Sequence, residues 1–549
     1  MGDFDKAVAF LGDWGLFQII IFAFYFMSMV PNGFTLGIVF VADTPKHQCF
    51  IPQVNLTQDW LQAIIPVNVV DGEEQRSSCS RYRLDTVSDL WAQGFAPGEV
   101  NLTQLQQEPC VDGWTYSKDI YQSTIVTEFD IVCSDQWKQP LTTTVYFSGI
   151  LFGSFVLGQV SDRFGRKPVF FGTIAFQALS MFAQAFSSSW IMFTTFIFFT
   201  GVGHIGNLVS AFVLGAEILI GRARVMFTTL GMGLSFATGY MMVPLLAYFL
   251  RNWKYLQMAL ALPSLLYLPF WWFIPESPRW LLSQGRVEEA EAIMQKAAHT
   301  NKVKAPVVIF EDFNTGDEEA KNEKHHTMLD LFRTSNIRRT TIILCLLWFS
   351  MCTGYYGISL NTSKLTPDPY LGSLFSAAVE VPASFCIWFG LKHLSRRILV
   401  GGSLFIGGAS FLLKLAIPSS LLWLTVTMEM IGKFGFSASM NLLFAYTSEV
   451  FPTVLRNTAM GICSTSSRVG SCLAPFILQL SLKSTYLPPL VMGLLAAVSS
   501  IAAAFLPETY KQSLSETIPE MQQCKGIHFP CLVKKEKQPN DIVRMESKL

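Results

Sequence analysis

The sequence predicts an all-α polytopic membrane protein with twelve transmembrane helices in two six-helix halves. Composition is the first reason: 51% of the 549 residues are apolar and only 15% are charged, which is not the profile of a soluble protein. The second reason is that twelve apolar runs have about the 20 residues that a membrane-spanning helix needs. These runs cover 17–41, 141–160, 168–187, 190–216, 227–249, 255–274, 340–360, 370–391, 398–416, 421–446, 458–480 and 486–506.

An internal repeat is the third reason. Glu217, near the end of the fourth run, recurs as Glu449 near the end of the tenth, and Glu276 in Pro-Glu-Ser recurs as Glu508 in Pro-Glu-Thr. Both pairs have the same spacing along the chain, which indicates two copies of a six-helix unit. Many secondary transporters consist of such repeats and bind substrate between them near the bilayer midplane. The alternative is that charged helix ends recur by chance.

Residues 158–167, between the second and third runs, set the orientation. Asp162, Arg163, Arg166 and Lys167 cannot lie in hydrocarbon, and the excess of basic side chains places this end in the cytoplasm. The spacing G-x-x-x-D-R-x-G-R-K resembles the signature loop between helices 2 and 3 of the major facilitator superfamily. The resemblance implies the major facilitator fold.

This orientation places both termini in the cytoplasm. The first run follows several charged residues and is too long for a signal peptide, so we expect it to be retained as helix 1. The predicted regions are a cytoplasmic N-terminus (1–16), helix 1 (17–41), an extracellular loop (42–140), helices 2–6 (141–274), a cytoplasmic loop (275–339), helices 7–12 (340–506) and a cytoplasmic tail (507–549).

The long loop 42–140 has the features of an extracellular, disulfide-closed segment. It holds Cys49, Cys79, Cys110 and Cys133 and two glycosylation sequons, at Asn55 and Asn101. Four cysteines allow three complete pairings, and the sequence does not choose among them.

Charged residues at the inner helix ends are candidates for a gate. We expect ion pairs that latch the two halves together on the cytoplasmic side and so hold the outward-open state, each worth about 1 kcal/mol or less, so that several are needed. The alternative is that these pairs stabilise the structure without gating. The residues are Asp162, Glu217, Glu276 and Glu449 with Arg163, Arg166, Arg224 and Arg456.

Charges within the predicted helices are costly and point to a binding site. Arg468 in helix 11, Lys433 in helix 10 and Glu380 in helix 8 fall near the bilayer midplane. Glu429 precedes Lys433 by four residues, so these two are expected to neutralise each other. Arg468 has no such partner on its helix and is the candidate for binding a substrate carboxylate. The alternative is a structural pair of Arg468 with Glu380 or Glu449.

Aromatic residues supply the other half of the predicted site. Trp348, Tyr355 and Tyr356 lie in helix 7, and Phe444 and Tyr446 lie nearer the inner end of helix 10. Aromatic faces attract a quaternary ammonium, so arginine and aromatics together suggest a zwitterion. Aromatic side chains in membrane helices often serve packing, and we expect about half of these to touch ligand.

Several segments, 9–15, 31–34, 123–128 and 271–281, together with Arg468 and its serines, resemble the organic cation/carnitine transporters of the major facilitator superfamily. The resemblance implies a plasma-membrane carrier for carnitine-like zwitterions and organic cations, often coupled to sodium. Arg468 stands where classical organic cation carriers usually have an aspartate, which favours a substrate with a carboxylate. Tyr355 and Tyr356 resemble the aromatic pair of this group. Asn32, Asn207 and Glu449 resemble positions that are linked there to sodium or substrate.

The chain departs from this pattern in helix 4. His204 and Leu208 stand where the group usually has Gln and Tyr, and Phe444 stands where Tyr is common. Sodium dependence and substrate choice both rest on such positions. His204 is a candidate substrate contact, either as a titrating group or as a neutral hydrogen-bonding replacement.

Other classes of function fit less well. The chain has no phosphate-binding G-x-x-x-x-G-K-[ST] loop and no H-E-x-x-H spacing, which disfavours an ATP-driven pump and a metal-dependent enzyme. No basic tract with interleaved aromatics suggests nucleic acid. The expected partners are the lipid bilayer and a small zwitterionic or cationic substrate, with sodium as coupling ion and no other cofactor or metal. The alternatives are a sodium-independent carrier of ergothioneine or simple organic cations, and a transport-inactive binding protein.

Overall fold

The computed structural model describes residues 4–52, 56–70, 73–306, 308–310, 331, 335–418 and 420–510. Within these residues, twelve helices form the bundle, one for each predicted run. They are α1 (Leu16–Val41), α2 (Lys138–Phe164), α3 (Arg166–Gln184), α4 (Trp190–Ile218), α5 (Gly221–Phe249), α6 (Trp253–Tyr267), α7 (Ser335–Leu360), α8 (Pro369–His393), α9 (Arg396–Lys414), α10 (Leu422–Val450), α11 (Thr453–Gln479) and α12 (Leu487–Ala503).

Seven of the described helices are long and apolar enough to cross a membrane by length and composition alone: α1, α2, α4, α5, α7, α8 and α9. The other five are shorter or more polar. Regular helix in α6 and α12 extends over only 15 and 17 residues, and α10 and α11 carry charged side chains in their interiors. The charged side chains of α10 and α11 depend on neighbouring helices of the bundle for their burial.

Helices α1 and α5 pack with their backbones in close approach. A Cβ built on Gly239 would lie 1.9 Å from the carbonyl oxygen of Val30, and one on Gly33 would lie 2.4 Å from the backbone nitrogen of Tyr240. Small residues at helix interfaces allow this approach in membrane proteins. Any larger side chain at either glycine would push the two helices apart.

We call the end of the bundle that carries residues 42–137 the outer end, and the opposite end the inner end. The outer segment contains three two-stranded antiparallel sheets with known register. Strand β1 (His47–Cys49) pairs with β6 (Trp114–Tyr116), β2 (Val67–Val70) with β3 (Glu73–Arg76), and β4 (Ser80–Tyr82) with β5 (Gln107–Pro109).

Two disulfides close the outer segment. Cys49 bonds to Cys110 and Cys79 to Cys133, which is one of the three pairings that the sequence left open. The sequon at Asn101 is exposed to solvent. The sequon at Asn55 lies outside the described residues.

Arg81 is the buried centre of this segment. Its side chain is 4% exposed and forms ion pairs with Glu108 at 2.9 Å and Asp112 at 2.5 Å. It also donates a hydrogen bond to the carbonyl of Phe50. Hydrogen bonds to these carboxylates oppose the effect of burial and raise the pKa of Arg81, so this cation stays charged.

The ion pairs at the inner end lie within each half rather than between the halves. Arg166 pairs with Asp162 at 2.6 Å and with Glu217 at 3.5 Å, and Arg396 pairs with Glu449 at 3.1 Å. Across the described ranges, no ion pair joins the two halves at this end. In this structure the carboxylates of Asp162, Glu217 and Glu449 each meet a cation on a neighbouring helix of their own half, and the latch expected for the outward-open state stays a prediction.

Among the described residues, the other predicted gate residues Arg163, Arg224 and Arg456 form no ion pair with the opposite half. Arg163 is exposed and lies over the ring of Phe164 at 5.6 Å. Arg224 pairs with Asp5, in the same half, at 2.7 Å. The Nε and Nη2 atoms of Arg456 are buried and have no hydrogen-bond partner among the residues that the structure describes.

Glu276 caps helix α3 from more than a hundred residues away in sequence. Its carboxylate accepts hydrogen bonds from the backbone N–H groups of Arg166 at 3.1 Å and Lys167 at 3.0 Å. Glu508 does the same for α9, accepting from the backbone of Arg396 at 2.9 Å. A carboxylate at a helix N-terminus satisfies free N–H groups and complements the helix dipole. The sequence repeat thus corresponds to a repeated capping interaction.

The two halves contact each other through α2 with α11 and α5 with α8. Thr144 donates a hydrogen bond to the carbonyl of Cys472 at 2.9 Å, and Tyr240 donates to Ser376 at 3.1 Å. These contacts bring residues far apart in sequence around one central region.

Candidate substrate site between the two halves

Arg468 of α11 lies between the two halves. The residue is 7% exposed, and its charge acts on Tyr356 of α7 and, across the interface, on Tyr146 of α2 and His204 of α4. The rings of Tyr356 and Phe147 meet edge to face across the same interface, with centroids 4.6 Å apart. Both halves therefore contribute to the surroundings of this arginine.

Several polar atoms around Arg468 are buried without a partner. Nε of Arg468, the hydroxyl of Tyr146 and Nδ1 of His204 form no hydrogen bond within the described ranges. A buried polar group without a hydrogen-bond partner lowers the stability of the folded protein by about 1–3 kcal/mol. Three such groups near one cation are therefore unusual if their only role is packing. Their donors suit a carboxylate, which accepts several hydrogen bonds at once.

The serines beside Arg468 are used for packing. Ser466 donates to the carbonyl of Cys345 on α7 at 2.8 Å, and Ser467 and Ser471 donate to carbonyls of their own helix. A Cβ on Gly470 would lie 2.5 Å from the carbonyl oxygen of Phe349. These contacts hold α11 against α7 and fix the position of Arg468.

A second charged cluster lies beside the first. Lys433, fully buried, lies 3.0 Å from Glu380, whose same oxygen accepts a hydrogen bond from Tyr355 at 2.8 Å. The sequence suggested Glu429 as the partner of Lys433, but Glu429 pairs with Lys414 of α9. It also left open a pair of Glu380 with Arg468, whereas Glu380 is engaged by Lys433.

The two clusters meet at the tyrosine pair. The rings of Tyr355 and Tyr356 are perpendicular with centroids 5.1 Å apart. Tyr355 faces Lys433 and Tyr356 interacts with Arg468. The aromatic pair thus separates the Lys433–Glu380 ion pair from Arg468, which forms no ion pair within the described residues.

The structure places the other predicted aromatics in different roles. Trp348 is 1% exposed, donates from its indole to Thr447 at 3.0 Å and packs edge to face on Phe444 at 4.5 Å. Tyr446 is fully buried, and its hydroxyl donates to the carbonyl of Pro507 at the inner end. The geometry of Tyr446 is that of a packing residue.

Asn32 and Asn207 lie together in the N-terminal half. The amide of Asn207 donates to the side-chain oxygen of Asn32 at 3.3 Å and to the carbonyl of Ser28 at 3.4 Å. Both residues are 1% exposed, and Oδ1 of Asn207 has no partner within the described ranges. Side-chain and backbone oxygens of this kind suit a hard cation. Glu449, the third predicted sodium residue, belongs instead to the inner-end pair with Arg396.

Sequence reasoning missed Tyr146 and Phe147 of α2 and Tyr240 of α5. All three are buried. Phe147 and Tyr240 contact the other half of the bundle, and the ring of Tyr146 packs against Phe147 and His204. The hydroxyl run Thr142–Thr144, just before Tyr146, is a weak signal of a polar helix face. Nothing comparable in the sequence marks Tyr240.

A buried arginine and an aromatic pair thus lie between two six-helix halves, which is where secondary transporters bind their substrates. The chain matches the family model "Sugar (and other) transporter" over residues 91–521 and belongs to that family. The inward-open xylose transporter XylE from E. coli shares this fold, with a TM-score of 0.58 at 12% identity over 90% of this chain and 98% of that one.

The particular group follows from closer relatives. Organic cation/carnitine transporter 2 from Rattus norvegicus is 46% identical over 96% of this chain and 95% of its own, and the Homo sapiens protein of that name matches equally. The chain therefore belongs to the organic cation/carnitine transporters. It is a multi-pass membrane transporter and not an enzyme, which confirms the fold class and the resemblance expected from sequence.

Proposed function

We propose that the protein takes up carnitine or a similar zwitterion across the plasma membrane by alternating access, coupled to sodium and with both termini in the cytoplasm. The observation that carries this proposal is Arg468, a buried cation with an unpaired Nε at the interface of the halves. A carboxylate that bridges Arg468 to Tyr146 and His204 would hold the halves together around the substrate.

The positive end of the substrate would lie against aromatic rings. Tyr356 interacts with Arg468 and meets Phe147 edge to face, and a quaternary ammonium binds to aromatic faces without hydrogen bonds. One ligand with both groups satisfies the arginine and the rings together. The relatives whose printed name includes carnitine support this choice.

Sodium coupling is supported by the pair of asparagines. Asn32 and Asn207 join α1 to α4 within one half, so an ion held there would favour one arrangement of those helices over another. A ligand shifts such an equilibrium only by its difference in affinity for the two states. We therefore expect sodium to lower the KM for carnitine.

The test is uptake of labelled carnitine into cells that express the chain, with sodium present or replaced. We expect uptake to need sodium and to be lost in Arg468→Ala, and to be reduced but present in Arg468→Lys, which keeps the charge without the fork. Arg222→Ala is the control, since Arg222 is 84% exposed in its pair with Asp13. Carnitine uptake that survives Arg468→Ala at normal surface expression would contradict the proposal.

His204 favours a second candidate, a sodium-independent carrier of ergothioneine or an organic cation. It stands beside Asn207 on α4 with an unpaired ring nitrogen, at a position where the related group usually has Gln. Uptake that does not change when sodium is replaced would select this candidate. Binding of carnitine to the purified protein without uptake would indicate a transport-inactive binding protein.

A further inference from the structure

Lys433 occupies a site that would otherwise suit a ligand cation. Its ammonium lies 3.0 Å from Glu380, donates to the hydroxyl of Ser359, and stands 3.4 Å from the ring centroid of Tyr355. The ring of Tyr240, from the other half, is 5.5 Å away. A carboxylate with two aromatic faces is a typical binding site for an ammonium group.

We propose that Lys433 is a specificity-determining residue, which neutralises Glu380 so that the site selects ligands that carry a carboxylate. This inference rests on the proposed function and deepens it. Lys433 is a tethered cation that takes the place of a free one. The net charge of the site that a ligand enters is then the positive charge of Arg468.

The charges of the central region support this role. Glu380 and Lys433 cancel, and Arg468 leaves one positive charge. A simple organic cation is repelled by that charge, whereas the carboxylate of a zwitterion balances it. In a desolvated site, repulsion between like charges is a strong device for rejecting the wrong ligand.

The Lys433–Glu380 pair lies close enough to Arg468 for both to determine the charge that a ligand cation experiences. Lys433 lies against Tyr355, which packs on Tyr356, and Tyr356 interacts with Arg468. The pair of Glu429 with Lys414 joins α10 to the last residue of α9 and is not part of these clusters. It provides a matched control, because Glu429 lies on the same helix as Lys433 and its partner Lys414 can be neutralised in the same way.

The experiment compares carnitine with tetraethylammonium as ligands of the purified protein, by ligand-induced thermal stabilisation. We expect Lys433→Gln to unmask Glu380 and to raise the affinity for tetraethylammonium relative to carnitine by about tenfold or more. Glu380→Gln should change the ratio in the opposite direction. Lys433→Arg should keep the wild-type preference, as should the control Lys414→Gln.

Lys433→Gln leaves a buried carboxylate without a partner and can impair folding. The double variant Lys433→Gln with Glu380→Gln carries no such charge, and we expect it to keep the wild-type preference for carnitine. An unchanged ratio in Lys433→Gln, or a preference for the cation in the double variant, would overturn the inference. If the wild-type protein binds these ligands but does not take up carnitine, the proposed function fails while the comparison of affinities still decides the role of Lys433.

Discussion

The hydroxyl of Tyr370 donates a hydrogen bond of 3.1 Å to the backbone carbonyl of Ile120. Tyr370 begins α8 in the C-terminal half, whereas Ile120 belongs to the outer segment that precedes α2. The ring of Tyr370 stacks on Phe40 at 5.4 Å and contacts Tyr121 at 6.3 Å and Tyr248 at 5.6 Å. Tyr370 of the C-terminal half thus packs into an aromatic socket at the outer end, formed in the N-terminal half by Phe40, Tyr121 and Tyr248.

We expect Tyr370→Ala to loosen the contact of the halves at the outer end. Each aromatic pair is worth about 0.5–1.5 kcal/mol, so loss of all three shifts the equilibrium toward an open outer end by about tenfold or more. Cys472, whose thiol faces the carbonyl of Thr144 on α2, reports this opening. Its labelling by a membrane-impermeant thiol reagent should become faster.

Labelling is read as the difference from the same proteins with Cys472→Ser. Tyr370→Phe, which keeps the ring and loses the hydrogen bond, should give a smaller increase. Tyr486→Ala is the control, because Tyr486 is 61% exposed near the start of α12. Equal labelling in Tyr370→Ala and wild type would show that the socket does not hold the halves closed.

Gly158 and Gly165 both lie in the segment 158–167 that joins α2 to α3, and we expect them to differ sharply on substitution. Gly165 has φ +104°, and a Cβ there would lie 2.7 Å from a carboxylate oxygen of Glu276. Gly165→Ala should therefore strain the backbone and weaken the cap of α3, at a cost of about 1–3 kcal/mol. Gly158→Ala meets no atom within 4 Å and should be close to neutral.

The measurement is the melting temperature of the purified proteins together with their surface expression. Glu276→Gln keeps the shape of the cap and removes its charge, so its loss should be smaller than that of Gly165→Ala. A Gly158→Ala variant as unstable as Gly165→Ala would contradict the assigned role of the Glu276 cap.

Asp43 at the outer end should make stability depend on pH. Burial raises the pKa of Asp43, and a hydrogen bond of 2.7 Å from Tyr121 offsets only part of this effect. A carboxyl whose folded pKa is raised favours the folded state below its unfolded pKa of about 3.9. That contribution is lost as the pH rises through the folded pKa.

We therefore expect Asp43→Asn to gain stability relative to wild type as the pH rises from about 4 through the raised folded pKa of Asp43. The difference in melting temperature between the two proteins isolates this carboxyl from all others. Asp85→Asn is the control, since Asp85 is 88% exposed in its pair with Arg83. If the wild-type protein instead became more stable relative to Asp43→Asn as the pH rises, the pH dependence would have the opposite sign. That result would exclude this explanation.

The disulfide between Cys49 and Cys110 closes a span of 61 residues. Its removal by Cys49→Ser with Cys110→Ser should destabilise the outer segment by about 4 kcal/mol, mainly by releasing the unfolded chain. Limited proteolysis of intact cells should then cut this segment faster. Cys386→Ser, at an exposed free cysteine, should leave the rate unchanged.

The spans and the cysteines of the outer segment were predictable because they are properties of consecutive residues. Apolar length marks a helix such as α7, and a polar segment with cysteines and sequons marks the outer segment. Ion-pair partners were less predictable. Lys433 was expected to pair with Glu429 on its own helix, but it pairs with Glu380 on α8, because α8 and α10 face each other in the bundle.

The ion pairs at the inner end likewise depend on which helices meet, and the latch expected for the outward-open state stays a prediction. Glu217 and Glu449 recur with one spacing, yet each pairs with an arginine of its own half, since the repeat copies contacts inside the six-helix unit. The contact of Tyr146 with the central region was not predicted at all. The hydroxyl of Tyr146 is part of that region only because α2 packs against the other half.

By itself the sequence determined the twelve helices, their repeat and the family of transporters, because periodic apolar length and fixed-spacing motifs are written along the chain. The tertiary structure alone decided which disulfides pair, that Lys433 pairs with Glu380, and that the charge of Arg468 acts on Tyr146 and His204 of the other half. Those relations join residues on different helices. They depend on which helix faces meet when the bundle packs, and no local pattern in the chain encodes that choice.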